Sequence, residues 1–121
     1  MLSPFSTVLV VDDNPMARAT AVHLFQDFGF EVLDAYSGAA AMRLIEAHPG
    51  IGLLFVDVRM PGMSGLELAE AAQKARPHLK IVFTSGYVDR RDVPADAPFV
   101  PKPWRVDAVA AAISLANDPD R

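Results

Sequence analysis

Acidic residues stand at the ends of two of the most apolar runs in the chain. Asp12 and Asp13 directly follow the run TVLVV, and Asp57 ends the run IGLLFVD. Ser85 and Lys102 also end or follow short apolar segments, in the second half of the chain. A carboxylate at the end of a buried run is poorly placed unless a cation or a hydrogen-bond donor partners it. These five residues are therefore candidates for one shared site.

The chemistry that these side chains favour is Mg²⁺ binding and phosphoryl transfer. Three neighbouring carboxylates repel one another, so the cluster needs a cation, and a set of oxygen ligands favours Mg²⁺. Lys102 supplies a mobile cationic donor and Ser85 a hydroxyl, which are the groups expected around a phosphoryl oxygen. A carboxylate such as Asp57, held against Mg²⁺ and a lysine, is a competent nucleophile toward phosphorus.

Alternating strand and helix patterns account for how these residues meet. Apolar, β-branched runs predict five strands, at residues 7–11, 31–35, 51–57, 80–85 and 99–101. Capping residues and the Gly or Pro at or after the helix ends predict helices at residues 15–29, 38–48 and 64–76, and an alanine-rich run predicts a fourth at 105–116. This order indicates an α/β domain with a parallel sheet and right-handed crossovers. Ligands of such sheets bind beyond the carboxyl ends of the strands, where all five candidates stand.

Length and composition favour one small domain without nucleic-acid or membrane partners. We expect the 121 residues to form a single domain, with a core at about 6–116 and a tail at 117–121. The formal charge of −4 argues against a nucleic-acid surface. No apolar run approaches the roughly 20 residues that span a bilayer, and residues 1–6 do not look like a signal peptide. With no cysteine in the chain, we expect a cytoplasmic protein.

Four motifs together resemble the receiver domains of two-component response regulators. They are VVDDN at residues 10–14, VDVRMPGMSG at 56–65, TSGY at 84–87 and PKPW at 101–104. Each motif alone is common, but their combination on these strands in this order is specific, and the match covers nearly the whole chain. The resemblance implies a doubly wound, five-stranded parallel sheet flanked by helices. It is the flavodoxin-like fold of the chemotaxis regulator, with strand order 2-1-3-4-5.

The resemblance also assigns roles to the acidic residues. It implies that Asp57 is the phosphoacceptor. It further implies that Asp13, Asp57 and the backbone carbonyl of Arg59 bind Mg²⁺ directly, whereas Asp12 acts largely through a metal-bound water. Mg²⁺ is the only cofactor implied.

Further roles are implied for residues at the ends of the last two strands. Lys102 pairs with the phosphoryl group, and the Lys102–Pro103 peptide bond is expected to be cis. Ser85, rather than Thr84, aligns with the switch hydroxyl of the family. Phe99 matches the aromatic position whose side chain rotates after phosphorylation.

The function implied is that of a signalling phosphoacceptor, rather than an enzyme with a separate substrate. It takes its phosphoryl group from a histidine kinase or a histidine phosphotransfer protein, and later loses it by hydrolysis. One alternative is a small Mg²⁺-dependent phosphohydrolase related to haloacid dehalogenases, but that family wants a second aspartate where this chain has Arg59. The other is a degenerate receiver that only binds proteins, although no acidic, hydroxyl or lysine position is lost.

One segment departs from the family pattern. Family members usually place a full amphipathic helix between the fourth and fifth strands, but here Pro94 and Pro98 interrupt the segment. Because Pro94 also disfavours helical geometry at Val93, at most one or two turns near 88–92 are expected. This fourth helix of the family is therefore predicted to be short, irregular or absent. We accordingly expect no dimerisation through its face, and favour a phosphorelay intermediate or a hybrid-kinase receiver.

Overall fold

A five-stranded parallel sheet with helices on both faces forms the domain. The computed structural model describes residues 7–86 and 93–117, and the strand order is β2-β1-β3-β4-β5, so β2 and β5 are the edges. This confirms the predicted fold and strand order. In the described ranges the elements are β1 (Thr7–Val11), α1 (Pro15–Asp27), β2 (Glu31–Ala35), α2 (Gly38–Ala47), β3 (Ile51–Asp57), α3 (Gly65–Ala75), β4 (Lys80–Ser85), β5 (Phe99–Pro101) and α4 (Val106–Ala116).

All five strands have the predicted bounds, and each helix is slightly shorter at one end or both. The differences arise because the predicted ranges included capping residues that lie outside the helices. Asn14 caps α1 by accepting hydrogen bonds from the backbone N–H groups of Met16 and Ala17. Gly29, with φ of +94°, follows the end of α1 in the left-handed conformation that glycine adopts readily.

Both faces of the sheet are buried, which explains why β3 is so apolar. Leu54 and Val56 belong to one core cluster, which α2 and α3 cover. Leu53 and Phe55 belong to the other, which α1 and α4 cover. Alternate residues of a strand point to opposite faces, so a strand covered on both sides is apolar throughout.

The segment before β5 is where the family usually has a helix that we predict to be short, irregular or absent in this chain. Residues 93–98 contain no helix, and the Ala97 N–H donates to the Pro94 carbonyl oxygen over 3.0 Å, which closes a turn. Val93 is buried against the cluster on the α2–α3 face. The part of the prediction that concerns 88–92 lies outside the described residues. Among the helices of the described ranges, none has the length and apolar character that a membrane crossing requires.

Candidate phosphoryl and metal site

Parallel register brings the ends of four strands to one edge of the sheet. Val11 pairs with Val56, Asp57 with Thr84, and Ser85 with Pro101, so β1, β3, β4 and β5 end side by side. The residues that follow these pairs are therefore neighbours. Each predicted site side chain belongs to this edge.

Lys102 bridges the two buried carboxylates of the site. Its Nζ lies 2.8 Å from Asp12 Oδ2 and 2.8 Å from Asp57 Oδ2. The side chains of Asp12 and Asp57 are 2% and 9% exposed, whereas that of Lys102 is 22% exposed. The Lys102 backbone N–H donates to the Ser85 carbonyl oxygen over 2.9 Å, which fixes the start of the side chain. The Lys102–Pro103 bond is cis, as expected.

The second oxygen of each buried carboxylate accepts a backbone hydrogen bond. Asp57 Oδ1 accepts from the Arg59 N–H over 3.0 Å, and Asp12 Oδ1 accepts from the Asn14 N–H over 2.9 Å. Both oxygens of each group are thus engaged, so the two carboxylates are held in defined orientations. Such preorganisation reduces the rearrangement needed when a ligand arrives.

Three carboxylates are close enough to bind one metal ion. Asp12, Asp13 and Asp57 each offer an oxygen atom, and these atoms lie within 4.8 Å of one another. Asp13 is exposed, so the cluster is open to solvent on one side. An open set of carboxylate oxygens fits a hard divalent cation that keeps part of its water shell, as Mg²⁺ does. The residues present therefore suit the predicted metal, and the contribution of the Arg59 carbonyl stays a prediction.

Burial and pairing act in opposite directions on the charges of the site. Burial raises the pKa of Asp57 above its ordinary value, although hydrogen bonds from Lys102 and from the Arg59 backbone oppose the shift. Burial lowers the pKa of Lys102, but its hydrogen bonds to Asp12 and Asp57 outweigh this and raise it overall. The two directions are compatible because Lys102 has two carboxylate partners and is more exposed than Asp57. Lys102 therefore stays charged, while an ionised Asp57 gains from an additional cation.

The side chains of Ser85 and Thr84 lie in different surroundings, because successive residues of a strand face opposite sides of the sheet. Both are buried at the end of β4. The Thr84 hydroxyl accepts a hydrogen bond of 2.7 Å from Trp104 Nε1, on the face that α1 and α4 cover. Phe99 is half-buried and packs on the other face of the sheet. The engagement of Thr84 is compatible with choosing Ser85 as the switch hydroxyl, and the switch roles of Ser85 and Phe99 stay predictions.

Arg18 is a site neighbour that the sequence did not identify. From α1 its guanidinium donates to the Asp12 carbonyl oxygen over 2.9 Å, and to Asp34 Oδ2 over 3.0 Å. The arginine thereby ties the loop after β1 to the end of β2. The sequence shows only that Arg18 lies one turn into α1, which does not indicate that its guanidinium reaches Asp12 and Asp34.

Close packing around residue 65 explains why the VDVRMPGMSG motif ends in glycine. A Cβ atom at this position would lie 2.2 Å from the carbonyl oxygen of Asp57 and 2.9 Å from Val58 Cα. The Gly65 N–H donates to the Val58 carbonyl oxygen over 3.0 Å. The start of α3 therefore packs directly on the backbone that carries Asp57, and only glycine leaves room for this approach.

Comparisons with known proteins agree on one family. The family model described as the response regulator receiver domain matches residues 8–114. Sensor kinase CckA of Brucella abortus is 36% identical over 118 residues, which are 93% of this chain but only 12% of CckA. The receiver protein CpdR of the same organism is 35% identical over 104 residues, covering 82% of this chain and 85% of CpdR.

Solved structures show the same fold. Response regulator TrrA from Thermotoga maritima, in complex with Mg²⁺-BeF, superposes with a TM-score of 0.82 and 27% identity. The match covers 93% of this chain and 99% of TrrA. A receiver domain protein from Clostridium thermocellum reaches a TM-score of 0.85 at 23% identity, which supports the fold. The chain belongs to the response regulator receiver domain family, the phosphoacceptor domains of two-component signalling systems.

Proposed function

We propose that Asp57 accepts a phosphoryl group from the phosphohistidine of a histidine kinase or a histidine phosphotransfer protein, with Mg²⁺ as the cofactor. The observation that carries this proposal is the 2.8 Å contact between Asp57 Oδ2 and Lys102 Nζ, beside the carboxylates of Asp12 and Asp13. A buried nucleophile, a cation beside it and an oxygen-lined metal site are the parts that phosphoryl transfer requires.

In the proposed transfer, Asp57 forms a new O–P bond while the P–N bond of the phosphohistidine breaks. The imidazole nitrogen leaves with the bonding electron pair. The Lys102 ammonium lies beside Asp57. During transfer it donates a hydrogen bond to a phosphoryl oxygen and neutralises the negative charge that develops there. The Ser85 hydroxyl donates to another phosphoryl oxygen, and Phe99 moves into the space that Ser85 leaves.

Asp13, Asp57 and the Arg59 backbone carbonyl are proposed to hold the metal, with Asp12 completing the acidic cluster. When bound, Mg²⁺ neutralises negative charge on the phosphoryl oxygens. The mutual proximity of the three carboxylates and the Mg²⁺-BeF complex of the related TrrA support this choice of metal.

The proposed biological setting rests on how much of each relative's length the chain matches. The chain spans 12% of CckA and 52% of nodulation protein W of Bradyrhizobium diazoefficiens, but 85% of CpdR. Similarity to a sensor kinase supports a phosphorelay or hybrid-kinase receiver, which forms one domain over residues 1–121 and acts in the cytoplasm. The acyl phosphate on Asp57 is then hydrolysed within the same site, so that the signal is transient.

Incubation with acetyl phosphate and Mg²⁺ tests the proposed function. Intact-mass analysis should show one phosphoryl group per chain, and peptide mapping should place it on Asp57. Omitting Mg²⁺ by adding a chelator is the control, and it should prevent the labelling. Absence of labelling under all conditions would indicate a degenerate receiver, and catalytic turnover of diverse phosphomonoesters would indicate a phosphohydrolase.

Asp13→Asn should weaken Mg²⁺ binding about tenfold or more, because a charged, exposed ligand becomes neutral. Calorimetric titration measures the affinity, and the fluorescence of Trp104, two residues beyond Lys102, provides a second signal. Glu70→Gln is the matched control, since it removes an exposed carboxylate from α3 outside the acidic cluster. Equal Mg²⁺ affinities of Asp13→Asn and the parent would exclude Asp13 as a ligand.

A further inference from the structure

Trp104 makes three contacts that converge on the site. Its Nε1 donates to Thr84 Oγ1 over 2.7 Å, and its ring packs edge-on against Phe55 with the centroids 5.5 Å apart. The Lys102 ammonium lies 5.6 Å from the centre of the indole. Phe55 and Thr84 are each 1% exposed, so two of the three contacts anchor the ring in the protein interior.

The hydrogen bond to Thr84 links the indole to the strand that flanks Asp57. Thr84 is the residue of β4 that pairs in register with Asp57 of β3. Packing on Phe55 alone would allow the ring to tilt, whereas an N–H donor bound to a buried hydroxyl fixes its orientation. Breaking this bond leaves a buried polar group unsatisfied, so the observed ring orientation is favoured over its alternatives.

The fixed ring lies beside a side chain that has many conformations. Lysine has a flexible four-carbon stem, and in this structure its ammonium must reach Asp12 and Asp57 together. A distance below about 6 Å between a lysine nitrogen and an aromatic ring centre is within the range of cation–π attraction. The indole therefore favours those Lys102 conformations that keep the ammonium at the acidic cluster.

We propose that Trp104 is a positioning residue for Lys102. Anchored by Thr84 and Phe55, it holds the ammonium where Asp57 reacts and thereby increases the rate of phosphorylation. This inference rests on the proposed function of Asp57. Trp104 itself touches neither phosphorus nor metal in the proposal, and acts through Lys102 alone.

Labelling rates in two backgrounds test whether Trp104 acts through Lys102. With acetyl phosphate at saturating Mg²⁺, Trp104→Leu should slow labelling about fivefold, in line with the loss of a partly desolvated cation–π contact. In a Lys102→Ala background the same change should have no further effect. Equal slowing in both backgrounds would overturn the proposal, because a merely structural role of the ring does not depend on Lys102.

A paired substitution at Thr84 gives a test that preserves the indole. Thr84→Val removes the acceptor while nearly keeping the side-chain shape, and it should slow labelling in the same direction as Trp104→Leu. Thr84→Ser retains a hydroxyl and should restore the parental rate. If Thr84→Val labels as fast as Thr84→Ser, anchoring through this hydrogen bond is excluded.

NMR without any phosphodonor separates this inference from the proposed function. The ring current of Trp104 should shift the ε-methylene protons of Lys102, and that shift should disappear in Trp104→Leu. Unchanged Lys102 shifts in this variant would show that the ring does not contact the side chain. If the parent chain itself is not labelled, the proposed function fails, while the NMR comparison still decides whether Trp104 positions Lys102.

Discussion

Asp57→Asn should abolish phosphorylation and raise the melting temperature at neutral pH. The amide is not a nucleophile toward phosphorus, so no labelling by acetyl phosphate is expected. Stability should rise because burial raises the pKa of Asp57. At neutral pH the ionised carboxylate therefore makes the free energy of folding less favourable, and the neutral amide removes this cost. A gain of about 1 kcal/mol, or about 4 °C in melting temperature, is expected.

The same pKa shift fixes the sign of the pH dependence. With a folded-state pKa above the unfolded one, the folded chain binds protons more tightly, so Asp57 favours folding below the unfolded pKa. That contribution is lost as the pH rises through the folded pKa. The stability advantage of Asp57→Asn should therefore be largest near neutral pH and shrink on acidification.

Thermal unfolding at several pH values, with and without Mg²⁺, measures these effects. Mg²⁺ should stabilise the parent more than Asp57→Asn, because the variant has lost a charged ligand. Glu70→Gln, at an exposed position of α3, is the control for the loss of one negative charge. Labelling of Asp57→Asn at the parental level would falsify the assignment of the acceptor.

Gly65→Ala should destabilise the domain by about 3 kcal/mol or more and disturb the site. The added Cβ would meet backbone atoms of Asp57, with the carbonyl oxygen only 2.2 Å away. Backbone in a central strand cannot move aside as a flexible side chain does, so α3 must shift away from β3. We expect weaker Mg²⁺ binding in the same variant, since the loop that joins β3 to α3 and carries the proposed ligand Arg59 would shift with the helix.

Urea unfolding of Gly65→Ala and Gly50→Ala provides a matched comparison. A Cβ at Gly50 would have its nearest contact at 3.8 Å, with Thr7 Oγ1, so this alanine should change stability by less than about 0.5 kcal/mol. If Gly65→Ala were as stable as Gly50→Ala, the close packing of α3 on β3 would not constrain residue 65.

The strands and the converging site were predictable because simple rules determine both. The run that forms β3 is apolar at nearly every position, as a strand covered on two faces must be, and it ends at a carboxylate. Once the sheet is known to be parallel, residues that follow its strands must share one edge. The shared edge of Asp12, Asp57 and Lys102 was therefore predictable, although their individual contacts were not.

Contacts that depend on side-chain orientation were not predictable in the same way. Trp104 and Thr84 lie 20 residues apart, and no local pattern indicates that an indole N–H will reach that hydroxyl. The contact between Lys102 and Asp12 was also missed, because the resemblance assigned Asp12 to the metal alone. Such pairs depend on rotamers selected by packing around the whole site.

The two edges of the sheet affect how the domain behaves at high concentration. Strand β2, at one edge, carries exposed acidic residues at Glu31 and Asp34. Strand β5, at the other, has three residues and ends at Pro101, which is exposed and lacks a backbone N–H. Charge, short length and proline all disfavour the addition of a strand from another molecule. The sheet is thus protected from edge-to-edge aggregation, and concentrated solutions should resist the growth of β-rich fibrils.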